Sequence, residues 1–422
     1  LNQLTTATFA ALTKTQVAYI STAEISGLDT NHVKALSSLQ ITGLTTGEIS
    51  KLTTAQISQL STAAVAALSS TQLGAFAAPV DKSSGADVTG TIAALTPTQF
   101  AALASSALPG LDTADITTTN GAGGAWLGVT TAQLAALTSK QVPGLATDDL
   151  GKFAAAQINA LNTAAFSQLT KTQIGAINTA QISGLDADHL GALTTAQASG
   201  LSAGAMGKLS ATQLANLPSD VVGVLSSAQL GALANGIIKG FTADQFASLA
   251  SSALPGLDAA DIASLGDGST VSDALLAALT SKQTPGLATA DLAQFSADQF
   301  NQLDPAAFAA LSKTQIAAIA TDQIQNLDLD HIGALTSAQV AGLSTAAIAA
   351  LDDGAVTGQI AALPAAAIGA MTADQFNALG PDGVAALTSD QFAALSSKAL
   401  AGLTAEDVMT YSDSSFTPTA AT

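Results

Sequence analysis

Three histidines are the side chains of this sequence best suited to chemistry, and all three sit in the same local pattern. The segments LDTNHVKAL, LDADHLGAL and LDLDHIGAL contain His32, His189 and His331. Each segment offers one imidazole and its acidic neighbours, which falls short of the four ligands of a structural zinc site. The segments are also far apart in the chain. We therefore interpret the Asp before each His as a helix cap and favour this over a metal site.

A second candidate site is a glycine-containing loop with three oxygen donors, Asp267, Ser269 and Asp273. Calcium takes six to eight oxygen ligands, often from such loops. No EF-hand spacing is complete here, and the remaining acidic pairs are typical of helix caps and solvated loops. We expect no bound cofactor, with calcium at these three residues as the alternative.

Several classes of function are disfavoured by what the sequence lacks. There is no cysteine and no arginine, and the formal net charge is −19. These features speak against thiol chemistry and nucleic-acid binding. The histidines occur only at cap positions, and no P-loop or G-x-G-x-x-G precedes a helix. The sequence therefore predicts that the protein is not an enzyme. Ranks of Thr for ice binding are disfavoured as well, since most of these Thr residues are expected to act as caps.

The elements that carry these residues come from an eight-residue repeat, whose positions we call a to h. Position a is a large apolar residue, position b is Ser, Thr or Asp, position e is Gln, Glu or Asp, and position f is again apolar. Between residues 12 and 76 position a is occupied without interruption, by Leu12, Ile20, Leu28, Leu36, Leu44, Leu52, Leu60, Leu68 and Phe76.

The spacing from b to e gives each octad the pattern of a capping box, as in Thr53 and Gln56. A helix start every eight residues predicts very short helices. A single long helix fails because eight residues advance its face by roughly 80° beyond two turns. A β-solenoid fails because period-two alternation is absent. Positions f and a lie three apart and share a helix face, so they should form the core. Such helices persist only when stacked, and the prediction is an all-α solenoid.

The octads form one continuous array over residues 1–411, followed by a polar tail at 412–422. Four breaks, at 77–94, 112–128, 266–278 and 352–362, are predicted to be turns and surface loops. A longer unit also recurs, since the segment QFAALASSALPGLD at Gln99 returns nearly unchanged at Gln245, about 146 residues later. The chain starts with Leu in the middle of such a unit. We expect it to be a processed form or a piece of a longer protein.

The octads LTTAQIS at 52–58 and LTTAQAS at 193–199 resemble the LTTAQ octapeptide arrays of large secreted bacterial surface proteins. That group includes adhesin-like and type I-secreted chains. The resemblance covers nearly the whole chain. It implies an extracellular or cell-surface location and a structural or adhesive role, and it brings no catalytic residues with it.

From these observations we predict an extracellular structural protein that self-assembles into a homopolymer, as a filament, sheath or surface layer. No run of eighteen apolar residues is present, so no membrane span is expected. The alternative is an adhesin stalk. Its insertion loops at 77–94, 112–128 and 266–278 would contact a glycan or a protein partner on a cell surface.

Overall fold

The computed structural model describes residues 1–76, 92–112, 115–116, 128–234, 236–265, 270–352 and 357–403. Within these ranges the chain consists of short helices joined by turns and contains no β-strand. The all-α solenoid of short capped helices is therefore confirmed. The chain divides into two compact units, Leu1–Leu209 with Asn216–Pro218 and Ser210–Ala215 with Ser219–Thr422.

The first unit is built from α-helices of four to six residues and from shorter 3₁₀ turns. Its α-helices are Thr6–Ala10, Lys14–Val17, Thr22–Ser26, Thr30–Ala35, Ser38–Ile41, Thr46–Ile49, Thr54–Gln59, Thr62–Ala66, Ser70–Leu73, Pro97–Ala102, Thr131–Ala135, Thr147–Leu150, Ala155–Ile158, Thr163–Phe166, Lys171–Ala176, Thr179–Ser183, Ala187–Gly191, Thr195–Ala198 and Ala203–Met206. Its 3₁₀ helices are Ile92–Ala94, Leu108–Gly110 and Val142–Gly144.

The second unit has the same construction. Its α-helices are Ala211–Ala215, Ser219–Val222, Ser227–Leu230, Ala243–Ser248, Ala259–Ser264, Thr270–Ala277, Thr289–Leu292, Ala297–Asn301, Pro305–Ala309, Lys313–Ile316, Thr321–Ile324, Leu329–Ala334, Ser337–Val340, Thr345–Ala349, Gln359–Ala362, Ala365–Gly369, Ala373–Asn377, Gly380–Ala385, Ser389–Ala393 and Ser397–Leu400. Its 3₁₀ helices are Ile237–Gly240, Leu254–Gly256 and Thr284–Gly286.

Helix Thr54–Gln59 shows how the octad begins and ends a helix. Thr53, at position b, has an extended backbone (φ −78°, ψ 162°), and its side chain accepts a hydrogen bond from the amide of Gln56. The Gln56 Oε1 accepts in return from the amide of Thr53 at 2.8 Å. Leu60, at the next position a, is again extended (φ −55°, ψ 138°), which ends the helix. The capping box is thus confirmed as the local unit of the fold.

The core lies where the spacing of f and a places it. Ile25 and Ile57 at position f are fully buried, and Leu28 and Leu52 at position a are at most 5% exposed. Both positions of an octad face the interior because they follow one another by three residues on a single helical turn. A short helix of this kind gains its stability from the coil that it packs against.

Three octads make one coil. Helix Thr30–Ala35 packs against the third helix before it, Thr6–Ala10, and against the third helix after it, Thr54–Gln59. The same relation recurs in the second unit, where helix Leu329–Ala334 packs against Pro305–Ala309 and Gln359–Ala362. Each octad in an uninterrupted stretch therefore rests on the octad 24 residues earlier.

Coils approach so closely at some positions that only glycine fits. In the 3₁₀ helix Val142–Gly144, a Cβ on Gly144 would lie 2.1 Å from the carbonyl oxygen of Ser105 in the preceding coil. Gly110 meets the carbonyl oxygen of Ser70 in the same way, at 2.0 Å. The Pro-Gly octads form tight 3₁₀ turns, and their glycines rest directly on the backbone of the preceding coil.

All four predicted loops include helical residues in their described parts. The 3₁₀ helix Ile92–Ala94 ends the break at 77–94, residues 115 and 116 are helical in the break at 112–128, and the other two breaks contain α-helices. The break predicted over residues 266–278 includes helix Thr270–Ala277, the longest in the described part of the chain at eight residues. The break over 352–362 ends in helix Gln359–Ala362, whose Gln359 is fully buried. The sequence reading as turns and surface loops is wrong there, because stacking against the neighbouring coil stabilises helices whose octad pattern is interrupted.

No helix in the described residues is both long enough and apolar enough to cross a bilayer.

Candidate functional site: the ladder between coils

The polar side chains at position e are buried and link each coil to the one before it. The Nε2 group of Gln56 donates to the carbonyl oxygens of Ile25 (2.9 Å) and Leu28 (2.8 Å), which are residues f and a of the octads in the preceding coil. The side chain of Gln56 is 2% exposed. One glutamine therefore caps its own helix with Oε1 and satisfies two buried carbonyls of another coil with Nε2.

The same arrangement recurs through both units. Gln40 donates to Phe9 and Leu12, both at 2.9 Å. Gln391, near the end of the described chain, donates to Ile360 and Leu363, both at 2.7 Å. Further examples in the two units are Gln99, Gln173, Gln197, Gln315 and Gln375. We call this series of hydrogen bonds the ladder.

The ladder continues across insertions. Gln99 follows the break at 77–94, yet its Nε2 donates to Ile57 and Leu60 at 3.0 and 2.7 Å. The intervening insertion therefore leaves the stacking register of the described coils unchanged. An array in which insertions can be added without loss of register is suited to a repetitive scaffold.

The sequence predicts the capping role of the Gln side chain but not its contact with the preceding coil. A capping box is served equally by Gln and Glu, because both offer an acceptor oxygen. Gln is nevertheless the commonest residue at position e, whereas Glu occurs there only at Glu24 and Glu48. That preference is the signal of a required donor, since a carboxylate cannot donate to a carbonyl.

The three histidines lie at position e and take part in the same ladder. The Nδ1 atom of His189 lies 2.7 Å from Oδ1 of Asp186, and its Nε2 lies 2.7 Å from the carbonyl oxygen of Leu161, 28 residues earlier. Oδ1 of Asp186 also accepts from the amide of His189 at 3.0 Å. The prediction that Asp caps the helix is confirmed, and His189 stands at the position that Gln occupies in other octads.

The other two histidines have the same geometry. His32 contacts Asp29 at 2.8 Å and the Leu4 carbonyl at 2.9 Å. His331 contacts Asp328 at 2.7 Å and Leu303 at 2.9 Å. The hydrogen bonds to Asp29 and the carbonyl of Leu4 raise the pKa of His32, against the opposing effect of burial.

Four aspartates of the described residues also occupy position e. Asp115 is 2% exposed, and burial raises its pKa to about 7, assisted by the charges of Asp112 and Asp149. Asp149 is 5% exposed, and burial together with the charges of Asp148 and Asp112 raises its pKa to about 6. Burial likewise raises the pKa of Asp261.

Asp149 and its counterpart Asp291 each leave a buried oxygen, Oδ2, without a hydrogen-bond partner. Their octads have Ala146 and Ala288 at position b, so the usual side-chain cap is missing as well. Burial, with the charges of nearby acidic residues, raises the pKa of Asp291. A carboxyl at a ladder position becomes a donor only in its protonated form.

The calcium site predicted from the sequence lies mostly outside the described residues. Asp267 and Ser269 lie outside the described residues, whereas Asp273 is half-buried in the first turn of helix Thr270–Ala277. Among the residues that the structure describes, no three His, Asp or Glu side chains converge in a way that could hold a metal ion. The three histidines lie in different coils, each within its own ladder contact.

The surface of the described coils has shallow open grooves. One groove, of about 630 Å³, lies between helices Thr147–Leu150 and Lys171–Ala176 and includes Asp148 and Lys152 in its lining. It is a gap between stacked coils that opens to solvent. Polar and apolar groups line it in similar proportion.

Comparison with known protein families finds the ALTTAQ repeat at residues 142–179 and again at 357–389. Comparison with curated proteins finds none that matches. The two matched stretches contain the ladder residues Gln173 and Gln375, in octads of ordinary form. Over these stretches the chain is similar to the ALTTAQ repeat, in agreement with the LTTAQ pattern predicted from the sequence.

Proposed function

We propose that this protein is an extracellular structural protein whose stacked coils are the building blocks of a filament, sheath or surface layer. The observation that carries the proposal is the ladder. Glutamine after glutamine at position e is used for contact with the preceding coil, as Gln56 and Gln391 illustrate. Side chains that are committed to holding a scaffold together are not available for binding or catalysis.

The histidines support the same conclusion. In each, both ring nitrogens contact an atom of the scaffold, as in His189 with Asp186 and Leu161. A general base needs a free nitrogen that reaches a substrate. We therefore propose a protein without enzymatic activity and without a resident cofactor.

The exposed surface supports self-association. Only 10% of residues are charged and 48% are hydrophobic. Several large apolar side chains remain exposed in the described coils, among them Tyr19 (85%) and Leu39 (63%). A surface of small, uncharged residues allows close lateral packing with little desolvation of charge. The location outside the cell is proposed from the resemblance to secreted LTTAQ arrays.

Electron microscopy and light scattering of the purified chain test this proposal. We expect regular polymers whose mass grows with protein concentration. A chain that stays monomeric at high concentration would contradict it.

Replacing the insertions distinguishes the structural proposal from the alternative of an adhesin stalk. Replacing residues 77–91 and 117–127 with short Gly-Ser linkers should leave polymerisation intact if the coils form the contacts. If the same replacement instead abolishes attachment to glycan or protein partners while the chain stays monomeric, the adhesin stalk is the better description.

A further inference from the structure

The three histidine contacts share a property that a neutral imidazole cannot provide. Each ring has an acceptor at both nitrogens, a carboxylate oxygen at Nδ1 and a backbone carbonyl oxygen at Nε2. The six distances lie between 2.7 and 2.9 Å. A neutral histidine carries one N–H and one lone pair, so one of its two contacts would place a lone pair against an acceptor.

The two acceptors cannot resolve this conflict themselves. A backbone carbonyl has no proton to give. The partner carboxylates already accept the amide hydrogen of the same histidine, as Asp328 does from His331 at 2.9 Å. The pKa of Asp29 is lowered, chiefly by the amide and side-chain hydrogen bonds of His32. The carboxylate form is therefore the favoured one, and the proton belongs on the ring.

We propose that His32, His189 and His331 are imidazolium ions, each of which pairs with its capping aspartate and clamps its coil to the one before it. The chain is thereby a scaffold that is held together best in neutral to mildly acidic medium and that loosens at these three coils when the medium becomes alkaline. This inference concerns the linkage between coils and holds whether or not the protein polymerises.

An aromatic ring completes each clamp. The ring centroids of Phe166 and His189 are 5.0 Å apart with an interplanar angle of 81°. Phe9 and His32 lie at 5.2 Å, as do Phe308 and His331. Edge-to-face aromatic pairs at this separation are favourable. The same phenylalanine therefore fills the core and holds the imidazole ring in place.

The surroundings contain few charges that could compete. The helices that pack against the three histidine helices have no charged residue of their own; they are Thr6–Ala10, Thr54–Gln59, Thr163–Phe166, Pro305–Ala309 and Gln359–Ala362. The charged groups nearby are the three capping aspartates, the chain's α-amino group and Lys34 near His32, Asp188 beside His189, Asp330 beside His331, and the end residues Asp304 and Asp352. All of these except the α-amino group and Lys34 are negatively charged aspartates, which favour the protonated form of the histidine.

The direction of the pH effect follows from the proton count. A group that holds its proton more tightly in the folded chain than in the unfolded chain stabilises the fold at low pH. That stabilisation is lost as the pH rises through the pKa that the group has in the folded chain. Loss of the proton leaves one acceptor of each ring, either the carboxylate or the carbonyl, without its donor.

Nuclear magnetic resonance of the full chain, labelled with ¹⁵N only at histidine, tests the protonation directly in solution or in the solid state. At pH 7 we expect both ring nitrogens of all three residues to resonate as protonated nitrogens. A spectrum in which each ring shows one protonated and one unprotonated nitrogen at pH 7 would overturn the proposal.

A variant provides an independent readout. Replacing Asp186→Thr together with His189→Gln rebuilds the pattern T-x-D-Q, which the chain uses at Thr388–Gln391 with a capping box and both ladder contacts. Hydrogen exchange of the amides in helices Thr163–Phe166 and Ala187–Gly191 should speed up between pH 7 and 9 in the parent beyond the intrinsic rate. The variant should lack this increase. The same increase in both proteins would overturn the clamp.

Discussion

The buried carboxyl of Asp149 gives a prediction whose size can be worked out from the structure. Asp149 occupies a ladder position, is 5% exposed and has an oxygen without a partner. Gln141, eight residues earlier, donates to Phe100 and Leu103. By the register of the ladder, the carbonyls that face Asp149 belong to residues 108 and 111. The charged carboxylate should therefore weaken the stack, whereas the protonated acid or an amide should hold it.

The magnitude follows from the pKa. Burial raises the pKa of Asp149 from 3.8 to about 6. At about 1.4 kcal/mol per pH unit, the folded state would lose about 3 kcal/mol on going from pH 4 to pH 7. Solvent beside the exposed Asp148 screens part of this interaction, and we take half, about 1.5 kcal/mol. The folded chain binds more protons than the unfolded chain between these pH values, so stability falls as pH rises.

The substitution Asp149→Asn removes the charge and keeps the shape. We expect the variant to match the parent at pH 4 and to be more stable locally by about 1.5 kcal/mol at pH 7.5, which is about a tenfold slower opening of the coil. Hydrogen exchange with mass spectrometry suits a repeat array because it reports each coil separately. The informative quantity is the ratio of the exchange rate in the parent to that in the variant, for peptides that cover helix Thr147–Leu150.

A matched control lies next to it in the sequence. Asp148 is exposed, so Asp148→Asn removes the same charge from the surface and should change the ratio by less than about threefold at any pH. If the ratio for Asp149→Asn is the same at pH 4 and pH 7.5, or if both substitutions act equally, the account of a buried ladder carboxyl is refuted.

Three further predictions use the same local exchange measurement or chemical denaturation. Gln56→Met should destabilise its coil by roughly 2–3 kcal/mol, because two buried carbonyls lose their donor. The control is Gln16→Met, since Gln16 is exposed and has a capping contact. If both substitutions destabilise the chain equally, the ladder is refuted. Gly144→Ala should cost about 2 kcal/mol or more, as its Cβ would lie 2.1 Å from a backbone oxygen, whereas Gly47→Ala, where the nearest atom is 3.7 Å away, should be neutral or slightly stabilising. Phe300→Ala should cost about 3–5 kcal/mol, since the ring is fully buried between two other phenylalanines, and a cost below about 1 kcal/mol would show that this core collapses to fill the space.

Local features of the fold could be predicted from the sequence because their partners are close in the chain. A capping box joins residues three apart, so Thr53 and Gln56 find each other whatever the rest of the molecule does. The core positions Ile57 and Leu60 are likewise three apart on one turn. The cap role of Asp186 before His189 belongs to the same class.

The tertiary structure alone decided which octads meet. The number of octads in a coil depends on the angle at each extended a–b junction, such as Leu60 with Ser61, and the eight-residue spacing does not encode that angle. The ladder contact of Gln56 with Leu28 spans 28 residues and exists only once three octads close a coil. The helix at Thr270–Ala277 has the same origin, since packing stabilises it where the octad pattern is broken. The charge of a buried side chain also depends on the tertiary structure. The second acceptor of each histidine and the burial of Asp149 are provided by the neighbouring coil, which is too distant along the chain to be recognised from the sequence.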